Sequence, residues 1–462
     1  MSEAAFSSLK LHPALLKNIT SLGYDAMTPI QAKSLPYILA GRDVIAQGQT
    51  GSGKTAAFTL GLLENLNVKH FRIQTLVLCP TRELADQVAK EIRKMARTIH
   101  NIKVLTLCGG MPFGPQVGSL EHNAHIVVGT PGRVADHLRR GTLNLDDVNT
   151  LVLDEADRML DMGFQETLDE IIDHMPEHYQ TLLFSATYPE QIASMASRIT
   201  QDPVVVKVAT THDKNSIHQS LYEVDEQMPR VTAVRLLLLE RRPLSTVVFC
   251  NTRLETQEVA DQLSHFGFSA AALHGELEQR ERDQTLALFA NKSISILVAT
   301  DVAARGLDID ALDAVINYQI AREYEVHIHR VGRTGRAGSK GIACTLFTDK
   351  ERYRVGRLEA HLGHSIERAT LPAANLLEQA VYKPSMATLQ IEGGKRQKVR
   401  PGDILGALTA EDGISGHEVG KINVFDNFSY VAVMQKVQKV ALNKLSAGKL
   451  KGRSFRVRLL VL

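Results

Sequence analysis

No run of 18 or more apolar residues occurs in the chain, so no segment of it reads as a membrane-spanning helix. The first residues, Met1-Ser2-Glu3-Ala4-Ala5-Phe6, lack the basic region and apolar core of a secretory signal. Only four cysteines occur in 462 residues, Cys79, Cys108, Cys250 and Cys344, and none forms a C-x-x-C pair. Each lies in or at the end of an apolar strand-like run. That points to buried free thiols, a reducing environment and a cytoplasmic location. No heptad seam is present, so a monomer is expected. Net charge is also nearly absent, at +2. The balance conceals an asymmetry. From Lys383 to Leu462 there are 14 basic and 6 acidic residues, against 39 basic and 45 acidic residues in the rest. A basic block of about domain size suggests a polyanionic partner.

What is present begins with length. A chain of 462 residues exceeds one ordinary core, and 44% hydrophobic content supports several packed domains. The densest signal is Gly48-Gln49-Thr50-Gly51-Ser52-Gly53-Lys54-Thr55, which fits G-x-x-x-x-G-K-[ST] at each fixed position. It follows the apolar run Asp43-Val44-Ile45-Ala46 and leads into Ala56-Ala57-Phe58-Thr59-Leu60, the strand–loop–helix setting that the motif needs. Glycines let backbone N–H groups close on phosphate oxygens, and a helix start adds partial positive charge. Lys54 can reach the β- and γ-phosphates, and Thr55 can offer its hydroxyl to Mg²⁺. The loop implies a nucleoside triphosphate and leaves open what its energy does.

Short apolar strands alternate with helical patterns through the first part: 76–79, 104–107, 126–128, 151–153 and 181–184. Such runs read as buried strands of a parallel α/β sheet, whose ligand groups gather at the carboxyl edge. Polar clusters follow the strands, among them Thr81-Arg82, Gly109-Gly110, Thr130-Pro131-Gly132-Arg133, Asp154-Glu155-Ala156-Asp157 and Ser185-Ala186-Thr187. Asp154, ending a strand opposite a phosphate loop, suits a Mg²⁺ shell, and Glu155 suits orientation and deprotonation of an attacking water. A second α/β segment starts near Ser216, with strands 246–250, 296–299 and 314–318 and no second Gly-Lys-Thr loop. It carries Thr300-Asp301-Val302-Ala303-Ala304-Arg305-Gly306-Leu307-Asp308 and His327-Ile328-His329-Arg330-Val331-Gly332-Arg333-Thr334-Gly335-Arg336. Arg333 and Arg336, three apart, can supply guanidinium groups to a γ-phosphate. After residue 383 the pattern reads β-α-β-β-α-β, a ferredoxin-like split fold, with strands at 386–391, 421–425, 430–434 and 454–462 and helices at 401–408 and 437–445. With its positive charge this suggests an RNA-recognition module. Phe428 and Tyr430 are the aromatic residues where a base-stacking signature would stand, so Lys and Arg on loops and helices are the candidate RNA readers.

These clusters, in order over roughly residues 6–340, resemble the DEAD-box RNA helicases. The expected architecture is two RecA-like parallel-sheet domains, 1–210 and 216–367, a linker at 368–382, and an RRM-like α+β domain at 383–462. The resemblance implies that Gln31, in Gly23-Tyr24-Asp25-Ala26-Met27-Thr28-Pro29-Ile30-Gln31, bonds the adenine edge, with Phe6 or Tyr24 packing on the base. Met27 stands where the family commonly has proline. The resemblance implies nucleotide contacts from Gly48, Thr50, Gly51, Ser52, Gly53, Lys54, Thr55, Gly306 and Asp308, the last at the ribose. It assigns arginine fingers to Arg333 and Arg336. Coupling of hydrolysis to domain movement falls to Asp157, Ser185, Thr187 and His329. Gln279 and Arg282 fit the family's Q-x-x-R element. RNA contacts carry over to Thr81, Arg82, Gly110, Thr130, Gly132, Arg133, Arg253, Thr300, Asp301 and Arg305. Phosphate contacts of this kind give affinity without sequence preference, so sequence choice falls to the tail. There the candidates are Lys395, Arg396, Lys398, Lys451 and Arg453. The tail resembles that of a bacterial subgroup acting in large-subunit assembly, which implies large-subunit ribosomal RNA and pre-ribosomal particles as partners. The expected activity is RNA-stimulated ATP hydrolysis with local duplex unwinding. Three alternatives share parts of this pattern: an ATP-gated RNA clamp, a DNA helicase or translocase, and an RNA-binding protein with a dead core. Intact Lys54, Asp154, Glu155, Arg333 and Arg336 argue against the last.

Overall fold

The computed structural model describes residues 5–48, 51–208, 217–304, 312–335, 340–410 and 413–460. Thr50, Arg305, Gly306, Asp308 and Arg336 lie outside the described residues. The first sheet contains β1 (Val44–Gln47), β2 (Thr75–Leu78), β3 (Val104–Leu107), β4 (Ile126–Gly129), β5 (Thr150–Asp154), β6 (Gln180–Ser185) and β7 (Val204–Lys207). Its order is β3-β4-β2-β5-β6-β1-β7, and all the pairings are parallel. The central strands are buried along their length because helices cover both faces, which is why they read as unbroken apolar runs. One face packs Phe58, Leu60 and Leu62 of the helix Lys54–Glu64 with Val88 and Ile92 of the helix Arg82–Met95. The other packs Val134 and Leu138 of the helix Pro131–Arg139 with Ile192 and Met195. Phe58 and Phe184 meet with ring centroids 5.3 Å apart, which fixes the helix after the phosphate loop against β6.

The second sheet contains β8 (Ile217–Glu223), β9 (Thr246–Cys250), β10 (Ala270–Leu273), β11 (Ile296–Thr300), β12 (Ala314–Asn317), β13 (Gly341–Phe347) and β14 (Glu367–Ala369). It is again parallel, in the order β10-β11-β9-β12-β13-β8-β14. The stretch 368–382, expected as a linker, is not a free one. It supplies part of β14, and Leu371, Leu376, Leu377, Val381 and Tyr382 pack on the second core. Its apolar residues follow no strand or helix period, which hid their burial from pattern reading.

The tail contains β15 (Met386–Ile391), β16 (Val419–Val424), β17 (Ser429–Met434) and β18 (Val457–Leu460), with helices Pro401–Thr409 and Gln438–Ala447. The antiparallel order β16-β17-β15-β18 matches the ferredoxin-like expectation. Alternation sends Leu389, Ile391, Val431 and Val433 to the helical side. The opposite face holds Thr388, Gln390, Tyr430 and Ala432, all buried. Residues of the second RecA-like domain meet that face. Thr388 Oγ1 lies 2.8 Å from Asn291 Nδ2 and 2.7 Å from Ser293 Oγ, and Tyr430 Oη donates to Gln284 Oε1 at 3.4 Å. The sheet face on which RRM-type domains stack bases is thus engaged within the chain itself.

Candidate nucleotide and RNA site

At the carboxyl end of β1 the chain turns through Gly48 and Gly51 into Gly53, whose φ of +95° is a left-handed N-cap for the helix Lys54–Glu64. A Cβ on Gly53 would lie 2.5 Å from Gln31 Nε2, so glycine is required there by both backbone angle and space. Lys54 is buried and donates from Nζ to Gly48 O at 2.7 Å, an ammonium held inside the loop. Gln31 is 1% exposed. Its Oε1 accepts from Thr28 N at 2.9 Å and its Nε2 donates to Gly53 O at 3.1 Å, tying its helix to the phosphate loop. Each end of the amide expected at adenine therefore already has one partner within the protein. Phe6 is buried and meets Tyr24 edge-on at 6.3 Å, while Tyr24 Oη donates to Glu91 Oε1 at 2.8 Å. Burial pushes the Tyr24 phenol well above its ordinary range, and the Glu91 hydrogen bond and charge add to the rise.

Asp154 ends β5 and is buried. Burial raises its pKa to about 7 and the Glu155 charge adds to the rise, while Lys54 opposes it. Glu155 sits in the left-handed region at φ +53°, ψ +50°, and begins the short helix Ala156–Asp161. A non-glycine residue there is strained, and such strain concentrates at functional sites. Its Oε2 accepts from Arg158 Nη1 at 2.6 Å, with both side chains buried. Asp157 Oδ2 accepts from Ala186 N at 3.2 Å and from Thr187 N and Oγ1, each at 2.9 Å. Burial alone would raise the Asp157 pKa, but the Thr187 hydrogen bonds and the Lys54 and Arg158 charges bring it below its ordinary value. Ser185 O accepts from Gly48 N at 3.0 Å, while Ser185 Oγ is buried without a hydrogen-bond partner. Asp157, Ser185 and Thr187 thus form one bonded unit with the phosphate loop.

The expected RNA contacts of the first domain gather at the carboxyl ends of the neighbouring strands β3, β4 and β2. Thr81 caps the helix Arg82–Met95, its Oγ1 accepting from Leu84 N at 3.3 Å. Arg82 lies across the glycines that follow β3, and a Cβ on Gly110 would fall 1.7 Å from its Nη1. Thr130 is the N-cap residue of the helix Pro131–Arg139, and around Gly132 a Cβ would meet nothing within 4 Å. Arg133 Nη1 donates to Met111 O and to Gln116 Oε1, both at 3.0 Å. Gln116, which sequence reasoning missed, also meets His137 Nε2 at 3.0 Å and so fixes the Arg133 head.

In the second domain Arg253 opens the helix Arg253–His265 and pairs with Glu276 at 2.5 Å on the surface. Thr300 ends β11, and its Oγ1 accepts from Ala303 N at 3.3 Å. Gln279 opens the helix Gln279–Ala290, and Arg282 Nη2 donates to Ala303 O at 3.1 Å. His329 lies on the helix Tyr324–Val331, and Arg333 follows it, 7% exposed. Asp301 is committed within the protein: both its oxygens accept from Arg330, at 2.6 and 2.7 Å. In the tail, Lys395 and Arg396 lie in one turn with Lys398 after it, and Lys451 Nζ donates to Lys398 O at 3.0 Å. Two loops distant in sequence thereby place the basic candidates, with Arg453 two residues on, at one end of the sheet.

Comparison with known proteins identifies the family. The DEAD/DEAH box helicase family matches residues 28–195, the helicase conserved C-terminal domain matches 229–338, and the DbpA RNA binding domain matches 388–459. The chain belongs to the DEAD-box family of ATP-dependent RNA helicases, with two RecA-like domains and an RNA-binding tail. Within that family it is 52% identical over 457 residues to the ATP-dependent RNA helicase DbpA of Escherichia coli (strain K12), covering 99% of each chain. It is 35% identical over 476 residues to DbpA of Bacillus subtilis (strain 168), covering 98% of each. Among solved structures it is similar to Saccharomyces cerevisiae Dbp5 bound to RNA and ADP BeF3, at a TM-score of 0.72 and 30% identity, covering 81% of this chain and 98% of that one. No helix among the described residues is long and apolar enough to cross a membrane.

Proposed function

We propose that this helicase hydrolyses ATP on its first RecA-like domain only when RNA has organised the second, and that it opens short RNA duplexes locally. The observation that carries the reading is the buried carboxyl of Asp154 at the end of β5, beside Glu155, with the Lys54 ammonium held inside the phosphate loop. Burial outweighs the Lys54 and Arg158 charges and lifts the Asp154 pKa to about 7, and a divalent cation would favour the ionised form. Mg²⁺ takes one or two protein oxygens and completes its shell with phosphates and water. Thr55 and Asp154 would hold it, and it would supply neutralisation of phosphate charge. Lys54 binds the phosphates, Glu155 orients and deprotonates water, and Arg333 with Arg336 stabilises charge on the transferred phosphoryl group. Asp157, Ser185, Thr187 and His329 couple the nucleotide to domain closure. Gln31, Phe6 and Tyr24 shape the adenine pocket, and Gly306 and Asp308 reach the ribose side.

The tail selects the RNA. With its sheet face against the second domain, the basic loops carrying Lys395, Arg396, Lys398, Lys451 and Arg453 are left to read RNA by shape and phosphate pattern. The partner is a fragment of large-subunit ribosomal RNA, met in assembling particles in the cytoplasm, by the protein as a monomer. The test is ATPase stimulation by a panel of RNAs, using the full chain and a variant with those five residues changed to alanine. The parent prefers one large-subunit fragment, and the variant responds alike to all RNAs. Equal preference in both proteins moves specificity into the core. Strand displacement with a duplex tethered beside the preferred fragment separates this reading from an ATP-gated clamp, which retains RNA and releases no strand.

A further inference from the structure

Arg330 has a set of partners that the roles given so far do not use. It stands on the helix Tyr324–Val331, is 1% exposed, and is the largest fully buried side chain among the described residues. Burying a guanidinium is costly unless each donor finds an acceptor. Here every nitrogen does. Nε and Nη2 form the two-pronged pair with Asp301. Nη2 also donates to Asn251 Oδ1 at 2.8 Å, and Nη1 donates to Gln319 O at 3.0 Å and Asn317 Oδ1 at 3.4 Å. The guanidinium lies 5.3 Å from the centroid of the Phe249 ring.

The identity of those partners matters more than their number. Asp301 follows β11, Asn251 follows β9 and Asn317 ends β12, and these are adjacent strands in the order β11-β9-β12. One side chain thus joins the carboxyl ends of three neighbouring strands. Two of those ends lead directly into residues expected at RNA: Thr300-Asp301 and, through Thr252, Arg253. Asn251 is itself braced, its N–H donating to Gln319 Oε1 at 3.2 Å and its Nδ2 to Ile320 O at 3.1 Å. On the other side, Arg330 O accepts from Arg333 N at 3.1 Å, so the same residue holds the backbone of the expected finger.

We infer that Arg330 is a positioning residue that ties the RNA-facing strand ends of the second domain to the segment carrying Arg333, so that seating RNA on those ends sets where the Arg333 guanidinium stands. Its planar fork is the feature required, since lysine keeps the charge but cannot make the two parallel bonds to Asp301 together with those to Asn251 and Gln319. The inference rests on the reading of Arg333 as the group that meets the γ-phosphate. Misplacing such a group by about 1 Å can cost on the order of 10²-fold in rate.

The test uses the full chain and measures four quantities: ATP turnover at saturating RNA, the KM for ATP, the RNA concentration giving half-stimulation, and the thermal transition of each variant. Arg330→Lys lowers turnover at saturating RNA by about 10²-fold, while the KM for ATP and the half-stimulating RNA concentration change by less than about threefold. A purely structural role predicts a different pattern, with the thermal transition or RNA response failing in step with turnover. Asn251→Ala removes one spoke, keeps the Asp301 pair, and produces the same split with a smaller loss. Asp301→Asn combined with Arg330→Lys costs no more than the worse single change, because both act through one tie. Turnover of Arg330→Lys within about twofold of the parent overturns the inference. So does additivity of the double variant. Arg333→Ala is run alongside: if it keeps parental turnover, the finger assignment fails. If it loses turnover while Arg330→Lys does not, only the tie fails.

Discussion

The two RecA-like sheets share one topology. Adding seven to every strand of β3-β4-β2-β5-β6-β1-β7 gives the order of the second sheet. Their strand ends are nonetheless equipped in opposite ways. After β1 comes the glycine loop with Lys54, while after β8, its topological equivalent, Val224 simply bonds back to Phe347 O at 2.8 Å. β5 ends in Asp154, a carboxyl whose pKa burial raises to about 7. The matching β12 ends in Asn317, neutral and already paired with Thr345 Oγ1 at 2.9 Å. Arg330, the largest fully buried side chain among the described residues, is held there by five hydrogen bonds to four residues. At these matched strand ends the first domain sets a buried acid beside its phosphate loop, and the second sets an amide and a guanidinium already paired with each other and with their neighbours.

The largest expected effects test this contrast from each side. Lys54→Ala removes the cation of the phosphate loop, and Arg333→Ala removes the one expected from the second domain. Each should lower RNA-stimulated ATP turnover by on the order of 10³-fold or more, measured as phosphate release at saturating RNA. Retention of parental turnover by either variant would refute its assigned role.

A titration sharpens the comparison next. His327 in the second domain is 2% exposed, and neither ring nitrogen has a hydrogen-bond partner. Burial, aided by the nearby Arg330 charge, pushes its pKa down to about 4 from an ordinary 6.5. The unfolded chain therefore takes up a proton as pH falls below about 6.5, and the folded chain does not until about 4. Stability from this group is fully present above 6.5 and is lost progressively between 6.5 and 4, by up to about 3 kcal/mol. Urea midpoints of the second domain's transition across that range should show the slope, and His327→Leu should flatten it. An unchanged slope would mean that His327 stays neutral for no energetic reason.

The smallest effect concerns the tail. Thr388→Val keeps the shape of the side chain but leaves Asn291 Nδ2 and Ser293 Oγ without their partner. The contact between tail and second domain should weaken by about 1–3 kcal/mol. Faster amide exchange in β15 and β17 would report it, with the fold of either part unchanged. Parental exchange rates there would show that apolar contact alone holds the tail in place.

Much of this was readable in the chain. The phosphate loop, Asp154-Glu155-Ala156-Asp157 and the tail's β-α-β-β-α-β order stand where residue pattern placed them, because strand-end chemistry and turn geometry are local in sequence. Strands such as β10, with the small residues Ala270, Ala271 and Ala272, carried too little apolar signal to be read. The packing of 371–382 escaped because it depends on a core formed elsewhere. Arg330 escaped for a similar reason. Its partners Asn251, Asp301, Asn317 and Gln319 come from three separate strand ends, and only the folded sheet makes them neighbours. The engaged amide of Gln31 and the pairing of Glu155 with Arg158 likewise come from tertiary arrangement.

The left-handed backbone of Glu155 carries one more consequence. Holding a side-chain-bearing residue in that conformation costs about 1–2 kcal/mol, and glycine there would be free of it. Replacing Glu155 by glycine would release that strain but leave the buried Arg158 guanidinium without its carboxylate. Breaking such a buried pair costs about 3–5 kcal/mol, more than the strain returns. The ion pair is therefore what keeps the strained backbone in place, and the heat tolerance of the first domain should fall in that variant.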